Sequence, residues 1–425
     1  MENAASILIE NVTLLSGEHT FIAISGNRIS QIGGSKPTNA EKTIDAHDMI
    51  AMPAFYNTHT HSPMTVLRGY GGDKNLMDWL ENFIWPAEAK LTEDDIYIGT
   101  KLACYEMIRT GTVFFNDMYW HSRGLLRALK EFHMRAVVST TVLSVNPAYD
   151  SKCKVMKDLE IFKGFDFGDR VRLWIAPHAP YTVTDEDMRW AVEIAKEHKL
   201  GIHTHLNENE FEGAQTLEKY GKRPAFWLDD CGFFDVPAVT AHNIWLDDSE
   251  IELVAEKGAT LAHCPVSNMK LTSGLGKNAA FPYLKLKKAG AKITLATDGV
   301  SSNNNLDMFE EMKFASLLAK HTSGDPTAMP AHEALKIATK AGAEAFGYDA
   351  GEIAVGKLAD IILVKQDLAR MQPVHDLVSN VVFSANGSCV DTTICDGKIL
   401  MENGKIDGLE ETIKKASEIA ARIAS

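Results

Sequence analysis

Apolar residues fall into two regimes along this chain. Up to Ile50 they alternate with polar residues in short runs: SILIENVTLLS, TFIAIS and, after a Gly-Asn turn, RISQIG. Alternation rich in β-branched residues predicts strands. The far end reads alike, with LADIILVKQD, VSNVVFS and DTTICDGKILMENGKI as strand-like runs and Asp-Gly and Asn-Gly as turns. The middle differs. Runs of strand length recur there (TVFFND, RAVVSTTVL, VRLWIAPH, GIHTHL, AVTAHN, ATLAHC, KITLATD), and helical patterns such as DEDMRWAVEIAKEHK and DSEIELVAEKG stand between several of them. Strand then helix, repeated, predicts an α/β fold with a parallel sheet, and the number of units favours a closed (β/α)₈ barrel of the TIM type over a doubly wound sheet.

The expected organisation is therefore a small β-sandwich accessory domain formed by both termini, residues 1–52 plus 355–410, around a barrel at residues 53–354. The final stretch, residues 411–425, lies in LEETIKKASEIAARIAS and reads as an amphipathic surface helix.

Chemically capable residues stand at the ends of the apolar runs: His59, His61, Asp117, His178, His203, His205, His242, His263 and Asp298. A barrel gathers the C-terminal ends of its strands at one face, so these positions converge. His59 and His61 are two apart and share a strand face, which lets both imidazoles reach one ion. His205 ends GIHTHL, with Glu208 three residues on. Spacing alone leaves His203 and His205 as alternatives; His205 is preferred for its place nearer the strand end, with His203 as a pocket histidine. Asp298 closes KITLATD, where a turn aspartate before glycine is the plain alternative. Three imidazoles and a carboxylate suit zinc, with iron or manganese as alternatives. A binuclear centre of this type needs a bridging lysine on a middle strand; IAPHAPY has none, so one metal ion is expected.

Composition narrows the partners. Hydrophobic residues make up 45% and charged residues 24%, as in a chain that buries a large core. The formal charge of −14 disfavours nucleic acid and anionic membrane surfaces and suits a small neutral or cationic substrate. The zinc pattern of nucleic-acid deaminases, His-x-Glu with Pro-Cys-x-x-Cys, is absent from the sequence. The six cysteines form neither Cys-x-x-Cys nor a disulfide framework, and the N-terminus lacks a basic region and a long apolar run. No run approaches the roughly 20 apolar residues that span a bilayer. A cytoplasmic protein is expected, and a homo-oligomer is compatible with it.

Taken in order, PAFYNTHTHSPMTVLRGYGGD, WLENFIWPAEAKL, MIRTGTVFFNDMY, APHAPYTV, IHTHLNENE, TAHNIWLDDSEI, LAHCPVSNMKL and ATDGVSSNNNLDMFEEMKFASLL resemble the amidohydrolase superfamily. The likeness is nearest to its branch of 5'-methylthioadenosine/S-adenosylhomocysteine deaminases and related chlorohydrolases. The resemblance covers nearly the whole chain and implies zinc-dependent hydrolytic deamination of an adenine nucleoside, with release of ammonia. A related ring hydrolase acting on guanine, a pterin or a triazine is the alternative. The resemblance implies His59, His61, His205 and Asp298 as metal ligands, with Asp298 also catalytic. It implies Glu208 as proton shuttle and His242 as the histidine that orients the attacking water. His178 and Glu88 match substrate contacts, Glu88 on ribose hydroxyls; a solvated helix face is the plain alternative for Glu88. Asp117, His263 and Cys264 are read as structural, and Phe83 and Trp85 before Pro86 as core, with a place on the pocket wall as the alternative.

One departure bears on the substrate. Members that accept S-adenosylhomocysteine are expected to hold its carboxylate with arginines in the segment after Met134-Arg135-Ala136. Here that segment, VVSTTVLSVNPAYDSKCKVMKD, has none. Lys152 or Lys154 offers charge without the bidentate fork. Methylthioadenosine, adenosine or another aminated ring is then at least as well matched.

Overall fold

Eight runs of wholly or mostly buried residues form the central sheet of the computed structural model, which describes residues 5–145, 149–274 and 280–424. They are Phe55–Thr60, Thr112–Tyr119, Arg135–Val142, Val171–Pro177, Ile202–Leu206, Ala238–His242, Thr260–His263 and Lys292–Leu295. Each pairs in parallel with the next in chain order. Parallel strands covered on both faces have no solvent side, which is why these runs are buried almost throughout, polar residues included. First and last strands meet side by side: Thr58 Oγ1 lies 2.8 Å from Thr294 Oγ1, and Asp298 N donates to His59 O at 3.1 Å. The result is a barrel with helices outside it.

Helices start where short polar side chains cap them. Thr92 and Asp95 form a reciprocal capping box at Glu93–Arg109, and Thr184 accepts from Asp187 N at Asp185–His198. The first of these helices ends at Gly111, whose φ of +85° is one that L side chains rarely adopt. A Cβ there would also stand 2.7 Å from Ile362 Cδ1 in the other sheet, so glycine lets barrel and sheet touch.

Both chain ends build a separate mixed sheet of eight strands. Ala5–Leu14 is its pivot. It pairs in parallel with Ala40–Asp45 through its first half and with Met49–Pro53 near its end, the register shifting around Asn11. Met49–Pro53 then pairs antiparallel with Ile361–Lys365, which joins the two termini. A small core of its own, including Ile9, Ile22, Ile24, Ile361 and Leu363, holds this sheet together. Barrel and sheet are locked by a buried fork: Arg135 Nε donates to Asp360 Oδ2 at 2.9 Å and Nη2 to Asp396 Oδ1 at 2.6 Å, while Tyr56 also donates to Asp360.

The run VSNVVFS is a helix, Leu377–Phe383, and not the strand its β-branched residues suggest. Asp376 caps it by accepting from Val378 N and Ser379 N. Leu377, Val381 and Val382 are its buried residues, at helical and not alternate spacing. Tertiary burial of that face overrides local β propensity. The last helix, Leu409–Ala424, lies on Glu93–Arg109, with Arg422 reaching Asp95.

Candidate active site

The metal-type residues meet at the C-terminal ends of the strands, as a barrel requires. Their geometry follows from what holds the far nitrogen of each ring. His61 Nδ1 donates to Met118 O at 2.7 Å, and His205 Nδ1 to His178 O at 2.7 Å. A carbonyl only accepts, so each Nε2 keeps a bare lone pair facing inward. The two Nε2 atoms stand 3.3 Å apart. Asp298 Oδ1 lies 3.3 Å from His61 Nε2 and 3.4 Å from His59 Nε2. His59 is fully buried, its Nδ1 is 2.9 Å from His203 Nε2, and its Nε2 has no hydrogen-bond partner.

Lone pairs and a carboxylate oxygen this close repel one another, and a cation among them removes the conflict. The donor set of three imidazoles and one carboxylate therefore fits a divalent metal ion. Burial, reinforced by neighbouring imidazoles, depresses His61 to about 4 and takes His205 well below the ordinary histidine range, so both are neutral ligands near neutral pH. Burial opposes ionisation of Asp298, but its contact with His59, with the charges of His61 and His242, holds its carboxyl well below the usual range. Its Oδ2 accepts from Ser267 at 2.6 Å and Ser302 at 3.0 Å, which aims Oδ1 at the histidines.

His203 is outside the ligand groups: it backs His59 and is itself held 3.2 Å from Asn116 Nδ2. His242 is within range of His59 and His205, but the far nitrogen of its ring meets an amide and not a carbonyl. Asn268 Nδ2, at 2.9 Å, donates to His242 Nδ1, which leaves Nε2–H as a donor, 3.8 Å from Glu208 Oε1. Burial, together with the charges of Asp298 and Glu212, pushes the Glu208 carboxyl well above its ordinary value. Three of these turns carry strain. Asn207, His242 and Asp298 have φ of 51°, 75° and 60°, a left-handed backbone that costs about 1–2 kcal/mol per L residue.

One cavity joins His61, His178, His205, Glu208, His242 and Asp298 to Glu88. Glu88 ends the short helix Trp85–Glu88 in the long excursion after the first barrel strand, and it is buried, not a solvated face. Burial pushes its carboxyl up to about 8, although Tyr119 Oη donates to Oε1 at 2.7 Å. His178 is depressed to about 3 by burial first and by the other histidines next. Trp85 packs against the core and also lines this cavity together with Trp79 and Trp120. The long excursion turns the indole toward the barrel mouth, which local sequence does not reveal.

Asp117 accepts from Ser62 N at 2.5 Å and braces the turn after His61. His263 stacks on Phe281 at 4.1 Å, and the Cys264 thiol is buried and pushed well up by burial. Lys152 is engaged by Glu186 and Asp187, whereas Lys154 lies over the Tyr149 ring at 3.9 Å. Residues 146–148 of the arginine-free segment, like residues 1–4 of the N-terminus, fall outside the described residues. Tyr119, Asn268, Ser267 and Ser302 were not singled out from sequence. Tyr119 had a signal, since it shares a strand face with Asp117; the others had none, lying in turns and short helices.

Fold and donor set together define a barrel built around a metal-binding mouth. The chain belongs to the amidohydrolase family, whose model matches residues 50–400. It is 44% identical to the 5-methylthioadenosine/S-adenosylhomocysteine deaminase 1 of Archaeoglobus fulgidus, covering 98% of this chain and 99% of that protein. It is 41% identical to the 5'-deoxyadenosine deaminase of Methanoregula boonei, over 99% and 96%. Among solved structures it resembles a zinc-bound adenosine deaminase from Xanthomonas campestris, with a TM-score of 0.92, 31% identity and all of both chains covered.

Proposed function

We propose that this chain is a one-zinc aminohydrolase that deaminates the adenine ring of a nucleoside and releases ammonia. The observation that carries the reading is the convergence of three histidine Nε2 atoms and Asp298 Oδ1 beside a buried, proton-holding Glu208 in one cavity. The names of the relatives, two adenine-nucleoside deaminases of more than 40% identity, support the ring and the sugar.

A divalent ion held by His59, His61, His205 and Asp298 supplies, when bound, a water of lowered pKa. Asp298 Oδ1 is the base that receives the proton this water gives up. His242 Nε2–H donates to the oxygen as it adds to the amine-bearing ring carbon, where negative charge develops. Glu208, kept protonated by burial, delivers its proton to the adjacent ring nitrogen, so addition leaves no charge stranded on the ring. The proton held by Asp298 then passes to the amine, the carbon–nitrogen bond breaks and ammonia departs, while the proton left on the added oxygen returns to the Glu208 carboxylate, forming the ring carbonyl and restoring the acid. His178 contacts the ring and Glu88 the ribose hydroxyls. The cavity is shared by all these residues and walled by three tryptophans, which limits competing water.

The six free thiols, five of them buried, support a reducing and hence cytoplasmic setting. Among the described residues, no helix is long and apolar enough to cross a membrane.

Ammonia release from adenosine, methylthioadenosine, S-adenosylhomocysteine, guanine and a pterin tests the reading. Turnover is expected on adenine nucleosides. Turnover confined to guanine or the pterin would overturn the substrate while leaving the metal centre intact.

A further inference from the structure

The second barrel strand, Thr112–Tyr119, supplies none of the residues assigned above to metal or proton transfer, yet its end supports several of them. Asn116 Nδ2 donates to Thr58 O and holds His203, and Met118 O holds His61. Its last residue reaches further. Tyr119 Oη donates to Glu88 Oε1 at 2.7 Å. Among the described residues this is the side-chain hydrogen bond Glu88 makes, and Oε2 has no protein donor. Both partners are buried, Glu88 at 4% and Tyr119 at 2% exposure. The phenol stacks on Trp120 with ring centres 4.4 Å apart and planes 17° apart, so the hydroxyl is held in place before any substrate arrives.

Glu88 needs that help. It ends a one-turn helix in a long excursion, and Trp79, Ile84 and Trp85 line the same cavity. An apolar surround favours the neutral acid, whereas the two hydroxyls of a ribose both donate and are met best by a carboxylate. A hydrogen bond from a fixed phenol favours the carboxylate form and fixes its rotamer.

We propose that Tyr119 is a positioning residue for sugar recognition: its hydroxyl holds one oxygen of Glu88 so that the other meets the vicinal 2'- and 3'-hydroxyls of the nucleoside. This rests on the nucleoside reading above and on Glu88 as its ribose contact. It assigns to the chain a sugar-specificity element spanning two parts of the fold, the end of a barrel strand and the excursion that follows its neighbour.

Above about pH 8, where Glu88 is ionised, metal-loaded wild type, Tyr119→Phe, Glu88→Gln and the double variant are assayed with two nucleosides that differ only in the diol, 5'-deoxyadenosine and 2',3',5'-trideoxyadenosine. Loss of a hydrogen bond to a charged group predicts a KM for 5'-deoxyadenosine about 10- to 100-fold higher in Tyr119→Phe. Its kcat and its metal content should stay close to wild type. On the trideoxy nucleoside, Tyr119→Phe should match wild type, and in the Glu88→Gln background it should add nothing. Equal losses on both nucleosides, a loss confined to kcat, an undiminished effect without Glu88, or failure of Tyr119→Phe to yield folded metal-loaded protein would each overturn the proposal and assign the hydroxyl to structure. The wild type separates the two readings: no ammonia from either nucleoside removes the deaminase reading itself, whereas equal KM values for both remove only the diol contact.

Discussion

Glu208 and Glu88 are both buried carboxyls with raised proton affinity, and the two sites ask opposite things of them. Glu208 has to carry a proton, and burial beside Asp298 and Glu212 gives it one. Glu208→Gln removes the shuttle without removing a ligand, so kcat should fall about 10²–10⁴-fold. Ammonia release alongside metal analysis checks this, with bound metal retained. In the proposed function Glu88 is an acceptor for the sugar hydroxyls. Below about 8 it holds its proton, and above about 8 it is ionised. Because the carboxylate accepts from both sugar hydroxyls, KM for a riboside should fall as pH rises through that value. KM for Glu88→Gln should stay flat over the same range. A wild-type KM that rises instead would contradict the acceptor role.

At the scale of elements, barrel and terminal sheet are joined by the Arg135–Asp360–Asp396 fork at the strand starts, remote in sequence and buried. Removing one partner strands the other charges in a low-dielectric interior. Arg135→Ala should destabilise the fold by about 3–5 kcal/mol, measured by denaturant unfolding. The strands themselves were readable from their apolar runs and the helices from their periodicity. The stretch VSNVVFS was not, because its β-branched residues state a local preference that burial against barrel helices outweighs. Trp85 stood open between core and pocket wall and does both, because the long excursion that carries it packs on the core and walls the cavity along a path no local pattern encodes.

The whole molecule couples its metal to its fold. The candidate ligands come from the first barrel strand and the turn after it, from the fifth strand and from the turn after the eighth, from His59 to Asp298, and no shorter fragment contains the set. A chelator should therefore abolish ammonia release and lower Tm, and zinc should restore both, because an ion that binds only the folded state stabilises it by mass action. Unchanged activity in chelator-treated protein shown to be metal-free would remove the metal reading.

The sequence by itself determined the alternation of strand and helix, the strand-end histidines and aspartate, and through them the family. These are local properties: a side chain's chemistry and its period along one element. It also placed His59 and His61 on one side of a strand end. Only the tertiary structure decided which nitrogen of each ring faces inward, because carbonyls and amides of neighbouring elements set that: Met118 for His61, His178 for His205, Asn268 for His242. It likewise separated His203 from His205, joined Tyr119 to Glu88, and brought Trp85 to the cavity. Hydrogen bonds between residues far apart in the chain leave no periodic trace in sequence, and they are what turned a set of candidate ligands into an arrangement with assigned donors and acceptors.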